Sequence, residues 1–399
     1  MKNKVIFSII SFIFWFSQFL YVPVLSPYLE TLGGDYLLIG LILSSYGFLQ
    51  LLCRLPLGIL ADYLKIRKPF ILLGILSSTI SCLIFLLTED LVFALIARCF
   101  AGLAAATWVV FTVMYASYYH EHESNQAMNL ISFIVVFAQL LGMGLSGYLV
   151  SQWGWHAPYF LGSLLCILAF VLLLFISEPK HSRSRSQIEL KALLFTLKKQ
   201  TLLQLSFLSI LAHAIIFITT FGFTSAYALS IGIPKSQLGL TTFSFMIPHA
   251  IAPLIIGKIA SSIRKQWMVL IGSFMFATMC IFTMPITTHP AVFYIIQAMM
   301  GLSLGFIFPL LLGMCYQSAS DHMKSTVVGA YQAIYAMGIF GGPFIAGIFN
   351  SWFGLSAGFY FAALLGGIAT LLAARWKSKA MKHNIYHDSF LVGIISQII

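Results

Sequence analysis

Gly58-Ile59-Leu60-Ala61-Asp62-Tyr63-Leu64-Lys65-Ile66-Arg67-Lys68 is a short charged stretch between two long apolar runs. A worn copy of it returns as Gly257-Lys258-Ile259-Ala260-Ser261-Ser262-Ile263-Arg264-Lys265. Gly58 and Gly257 stand 199 positions apart, and Arg67 and Arg264 stand 197 apart. The second copy keeps the glycine and the basic pair but has Ser261 where the first has Asp62. A repeated pair of apolar runs joined by a charged turn implies two related membrane bundles with chemically unequal hinges.

The composition around this stretch fixes the solvent. Hydrophobic residues make up 60% of the chain and charged ones 8%, against about 45–50% and about 25% in soluble domains. Most of the chain is therefore built for lipid. Crossing ~30 Å of hydrocarbon takes roughly 20 apolar residues per helix, and only helices or closed barrels satisfy their backbone there. The runs are continuous rather than alternating, which predicts helices. Twelve spans are read near 5–29, 36–61, 69–88, 91–119, 126–151, 157–177, 201–231, 236–261, 267–287, 290–317, 325–350 and 355–376. The first follows Lys2 and Lys4 as a signal peptide would, but it is too long for one and no small-residue cleavage site follows.

All but three of the 22 Lys and Arg fall at the termini, in loops leading from even to odd spans or at the span ends beside them; the exceptions are Arg54, Arg98 and Lys235. The positive-inside rule then predicts an integral multi-pass protein of the cell membrane (inner or plasma) with both termini cytoplasmic. The net charge of +11 is a topology signal, and no nucleic-acid partner is expected. The six cysteines lie singly within apolar runs without metal-ligand spacing, so neither metal nor cofactor is expected.

A basic linker over 178–200 divides the chain into a six-span half at 1–177 and another at 201–376, followed by a cytoplasmic tail at 377–399. That tail is basic to Lys382 and apolar from Phe390, too short a run to cross the membrane as a helix. The halves match one another at a nearly constant offset. Gly102-Leu103 pairs with Gly301-Leu302, and Gly142, Gly147, Ser151 and Gly154 pair with Gly342, Gly347, Ser351 and Gly354. Parallel six-span repeats of this kind resemble the major facilitator superfamily over the whole chain, nearest to its drug/proton antiporter-like branch. The Gly58–Lys68 stretch is similar to the family loop Gly-x-x-x-Asp-Arg/Lys-x-Gly-Arg-Arg/Lys at Gly58, Asp62, Arg67 and Lys68. Tyr63 replaces the usual base there, and Lys65 and Ile66 replace the usual Gly-Arg. Arg98 with Gly102 is similar to the family's Arg-x-x-x-Gly element, and Pro23 and Pro27 resemble its span-one proline motif with Ser26 as an extra residue between them.

The resemblance implies an all-α membrane protein of two pseudo-symmetric six-helix bundles that works by alternating access. Gly58, Asp62, Arg67 and Lys68 are then expected to form a conformational gate. Asp62 would cap the positive N-terminus of span eleven near Ser325 and Thr326 and so close the cytoplasmic side.

Ionisable residues within spans are costly and point to function. Arg54, Arg98, His213 and His249 are expected to carry coupling or substrate charge, with both histidines near the middle of the membrane. Gln18, Tyr21, Trp108, Gln139, Phe217, Tyr331 and Tyr335 are the expected cavity wall, with Phe221 and Phe223 beside them. Each has a structural alternative: Arg98 bracing helices, Arg54 snorkelling to the inner face, and the histidines held neutral across helices. All eleven acidic residues fall in loops, tails or span edges. A path for lipophilic cations needs a buried carboxylate, so the residues better suit a neutral, zwitterionic or anionic solute. Gly142 and Gly147 in span five lack the proline of the antiporter motif. A closer match, Gly338, Gly342, Pro343 and Gly347, lies in span eleven, and close helix packing is expected at both places.

The reading is a secondary active transporter of a small organic solute, proton-coupled and exporting, a monomer working with substrate, protons and the lipid bilayer. The alternatives are uptake or facilitated diffusion of an anionic or zwitterionic metabolite and, more remotely, a non-transporting receptor or scaffold. No nucleophile, metal cluster or phosphate loop points to an enzyme.

Overall fold

The computed structural model describes residues 2–120, 123–178, 199–318 and 324–398. Among the described residues, twelve helices are long and apolar enough to cross a membrane: Asn3–Thr31, Tyr36–Leu64, Lys68–Leu87, Leu91–Ser117, Leu130–Trp153, Ala157–Leu174, Gln200–Ser230, Lys235–Ile256, Ile263–Ile286, Pro290–Gln317, Val327–Phe353 and Ser356–Ser378. They are spans one to twelve below. Spans one to six form one bundle and spans seven to twelve the other. Large apolar side chains such as Leu87, Phe175, Leu254 and Leu371 are largely exposed on the outside, where lipid takes the place of water.

Three spans are interrupted. Span one is two helices, Lys2–Phe19 and Val22–Thr31. Pro23 has no N–H to give, and its ring excludes the carbonyl four residues back, so the ladder opens at Leu20 and Tyr21. Span four is Leu91–Ala106 followed by Trp108–Ser117, with Thr107 between them donating its hydroxyl to Ala104 O at 2.6 Å. That back-bond competes with the helix ladder. Span seven contains a π-helical turn, Thr219–Phe223, between Gln200–Ile218 and Thr224–Ser230. Such turns commonly mark working regions of a helix.

Span twelve, read in the sequence as ending at 376, is the first part of a longer helix, Ser356–Ile398. The stretch has no proline after Trp376 and no glycine before Gly393, so nothing stops the helix there. The linker expected over 178–200 falls, at 179–198, outside the described residues.

Two seams between the bundles are made by backbone approach at glycine, and span one also meets span seven, where the Phe19 and Phe221 rings lie 6.0 Å apart. Between spans two and eleven, a methyl on Gly40 would lie 2.6 Å from Pro343 O, and one on Gly47 would lie 2.5 Å from Phe340 N. Between spans five and eight, a methyl on Gly147 would lie 2.6 Å from Lys235 O, and Gly239 abuts Gly144 O. Hydrogen on Cα admits these contacts, and any side chain would part the helices. Gly347 belongs to the first seam. Gly142 meets Phe16 O inside the first bundle, while Gly338 and Gly342 meet Ile210 and Ala214 of span seven inside the second. Both seams lie toward the face opposite the two termini. There Lys235 Nζ of one half also sits 4.4 Å over the Trp155 ring of the other.

Candidate functional site

On the terminal face, the chain leaves span two through Lys65, whose φ of 56° and ψ of 26° are left-handed. This turns Arg67 inward to 3% exposure. Its guanidinium lies 3.8 Å from Asp62 Oδ1 and 3.8 Å from Glu178 Oε1. Glu178 also accepts from the Arg67 backbone N–H at 2.9 and 3.0 Å and from the Lys68 N–H at 3.2 Å. Lys68 Nζ donates to the carbonyls of Leu174 and Ile176, both at 2.8 Å. The sequence brings Asp62, Arg67 and Lys68 together, but the carboxylate that caps a helix N-terminus is Glu178, on span three. Asp62 is held by Arg67. The expected contact of Asp62 with the N-terminus of span eleven falls on Ser325 and Thr326, whose side chains lie outside the described ones. Gly58, the fourth gate residue, approaches Val109 of span four, with a methyl there at 3.4 Å.

Deeper in the membrane-spanning region, two guanidiniums are buried. Arg98 is 2% exposed; its Nη1 donates to the Tyr21 hydroxyl at 3.4 Å, and its Cζ lies 4.4 Å from the centre of the Tyr46 ring. The proline break in span one is what leaves Tyr21 aimed at Arg98. Arg54 is 6% exposed; its Nη2 donates to Gln50 Oε1 at 2.6 Å and its Nη1 to the Tyr335 hydroxyl of the other bundle at 3.1 Å. This excludes snorkelling toward the face. Among the described residues, neither guanidinium has a carboxylate within 4.0 Å, and the Nε of each is buried without a hydrogen-bond partner.

The second bundle answers with aromatic rings. His213 stacks flat on Tyr335, centroids 3.8 Å apart and planes 3° apart, and its Nδ1–H donates to Ser209 O at 2.8 Å. Phe308 sets its edge against both His213 and His249, at 4.7 and 5.8 Å, while His249 Nδ1 reaches Gly301 O at 3.3 Å. Tyr331 packs edge-on to Tyr335 at 5.6 Å. Phe217, just before the π turn, stacks on Tyr46 at 6.1 Å and meets Phe221 edge-on at 5.0 Å. Trp108 packs edge-on to Trp15 at 5.4 Å, where the Trp15 indole N–H is buried and unpaired. Gln18, one turn farther along span one, is 2% exposed with both amide atoms unpaired. Gln139 on span five is half-buried and makes no hydrogen bond among the described residues.

Sequence reading thus names Arg54, Arg98, His213, His249, Tyr21, Phe217, Tyr331 and Tyr335, and the fold gathers them. It misses Tyr46, Gln50, Phe308 and Glu178. Tyr46, Gln50 and Arg54 follow one another at four-residue steps on one face of span two, and Gly40, Gly47 and Arg54 at seven. That regularity is the available signal.

Two helical bundles meeting along glycine seams, with buried unpaired charge and aromatic rings between them, make this a membrane transporter rather than an enzyme. The chain belongs to the Major Facilitator Superfamily, whose family profile matches residues 7–340 and 205–386. It is 21% identical over 378 residues to the uncharacterized MFS-type transporter MJ1560 of Methanocaldococcus jannaschii, covering 91% of this chain and 96% of that one. It is 22% identical over 395 residues to the inner membrane transport protein YajR of Escherichia coli K12, covering 96% and 83% respectively. Among solved structures it is similar to the nucleoside transporter NupG, with a TM-score of 0.75 and 15% identity over 95% of this chain and 99% of that one. That likeness is one of fold.

Proposed function

We infer that this transporter carries organic anions by alternating access, with the solute bound between Arg98 and Arg54 on one side and the rings of Phe217, Tyr335 and His213 on the other. The observation that carries the reading is the pair of buried guanidiniums without a carboxylate partner among the described residues. A buried, unpaired charge costs several kcal/mol, and a bound anion supplies the missing partner with charge-assisted hydrogen bonds. Transport in these terms is release of the glycine seams on the face opposite the termini as the terminal face closes. The positive-inside rule makes the terminal face cytoplasmic.

Proton coupling, which the sequence leads one to expect, has His213 and His249 as its titratable groups in the path. Export is kept as the direction, on the resemblance to the antiporter-like branch alone. The test is counterflow in liposomes with the purified protein, using matched organic anions and cations. Saturable exchange of anions that is lost in Arg98→Ala supports the reading. Exchange of cations, or anion exchange indifferent to both arginines, overturns it.

A further inference from the structure

Arg54 differs from Arg98 in one respect that bears on selectivity. Arg98 is contacted by Tyr21 and Tyr46, both of its own bundle. Arg54 is contacted by Gln50 of its own span and by the Tyr335 hydroxyl of the other bundle. The span-two seam explains the position. Its first two rungs, at Gly40 and Gly47, are backbone contacts with span eleven. The third, seven residues on, is a guanidinium reaching a phenol, so two long side chains continue a seam that began as touching backbones. Tyr335 is in turn fixed by its flat stack on His213. A neutral hydroxyl is an incomplete partner for a buried cation, and it stands where an anionic oxygen would bind more strongly.

Resting on the anion reading above, we propose that Tyr335 is a specificity-determining tether that occupies the anion position at Arg54, and that the transported solute is a dianion with a flat apolar body. One acidic group binds Arg98 and the second displaces the Tyr335 hydroxyl from Arg54. Tyr46, Gln50 and Arg54 rise in four-residue steps along span two, and Arg98 lies against Tyr46. The two cations are therefore offset along span two by up to about two helical turns, ~12 Å, with Phe217 stacked on Tyr46 beside Arg98. A monoanion neutralises Arg98 and leaves the tether made, so it binds without releasing the seam. A second acidic group does both.

The experiment uses the full chain reconstituted in liposomes, with terephthalate and phenyl phosphate as dianions and benzoate as the monoanion. In the wild type, all three acids are expected to quench the fluorescence of the path tryptophans, while the dianions exchange about tenfold faster than benzoate. In Tyr335→Phe, benzoate exchange is expected to rise about fivefold and the dianion preference to collapse. Terephthalate against phenyl phosphate decides between a dicarboxylate and a phosphate monoester. An unchanged dianion-to-monoanion ratio in Tyr335→Phe overturns the proposal, as does weaker dianion binding in that variant. A ligand-free measurement separates this from failure of the anion reading. With spin labels at Tyr63 and Gln317, one on each bundle, Tyr335→Phe and Arg54→Gln are each expected to shift the distance distribution, and the double variant to shift it no further. Shifts that simply add remove the tether even if anions are transported. Coupled shifts with no anion bound or moved by the wild type sink the anion and dianion readings instead.

Discussion

The loops that follow the second span of each bundle derive from one repeat, yet they are held by different chemistry. In the first bundle, Asp62, Arg67, Glu178 and Lys68 form a closed set of two acids and two bases that ties the loop to the end of span six. In the second, Ser262 caps span nine by accepting from the Lys265 N–H at 3.3 Å, and Lys265 Nζ reaches Ser261 Oγ at 3.3 Å. Ser261 stands in place of Asp62 and, at the repeat offset of 200, Ser378 in place of Glu178. Both carboxylates are thus absent from one copy. The first loop is stapled to its bundle across more than a hundred residues, whereas the side-chain hydrogen bonds of the second, among the described residues, go to its own neighbours.

The largest break in that comparison is expected from Glu178→Gln. The carboxylate accepts three backbone contacts at the start of span three and faces a guanidinium of 4% side-chain exposure. Its loss is expected to destabilise the protein by about 1–3 kcal/mol, since it weakens the cap and leaves Arg67 with Asp62 alone. Thermal unfolding in detergent measures this, and Ser378→Ala in the second bundle serves as the matched control with no resolvable change. Equal shifts in the two variants would mean that the staple is not what distinguishes the loops.

Asp62→Asn tests the same network from its more exposed end. Among the described residues Asp62 has one ion-pair partner, at 3.8 Å, and its side chain is 24% exposed, so stability is expected to fall by no more than about 1 kcal/mol. Exchange across liposomes is expected to slow several-fold, because Arg67 then answers to Glu178 alone and the set is no longer neutral. An undiminished rate at normal protein yield takes Asp62 out of the working cycle.

How much of this is legible in the sequence depends on whether the partners are near in sequence or in chemistry. The spans are visible because lipid demands long unbroken apolar runs, and the hinge because charges are conspicuous among them. Glu178 reads as the edge of a linker: its partner loop lies 111 positions away, and nothing local marks a glutamate as a helix cap at that distance. Arg54, Arg98 and Tyr335 stand out as polar or amphipathic residues in apolar runs. Tyr46 and Phe308 do not, because an aromatic in a membrane span is ordinary until a guanidinium or imidazole is found against it. Gly40 and Gly47 escape notice although they share a seven-residue spacing with Arg54. Glycines matching between the halves draw the reading toward repeats and away from the seam.

On the second loop, Ser262→Ala removes the one side-chain cap of span nine. A Ser-to-Ala cap change costs about 0.5–2 kcal/mol, and the 3.3 Å length here places this one toward the low end. A loss as large as that of Glu178→Gln would put the two loops on an equal footing and undo the contrast.

The smallest expected effect has the opposite sign. Lys65 is the one non-glycine residue with positive φ among the described residues. A left-handed conformation costs an L-residue about 1–2 kcal/mol, while glycine gives back about 0.5–1 kcal/mol through its freer unfolded chain. The Lys65 side chain is exposed and makes no hydrogen bond among the described residues, so its removal leaves no contact unmet. Lys65→Gly is therefore expected to stabilise the protein by up to about 1 kcal/mol, a shift of a degree or two in thermal unfolding. The same change at Ser262, where φ is −131° and the side chain caps a helix, is expected to destabilise. A fall in melting temperature for Lys65→Gly would show that the first loop draws on the lysine itself. Its turn would then be held by side-chain contact, as the second loop is, rather than by the Glu178 staple.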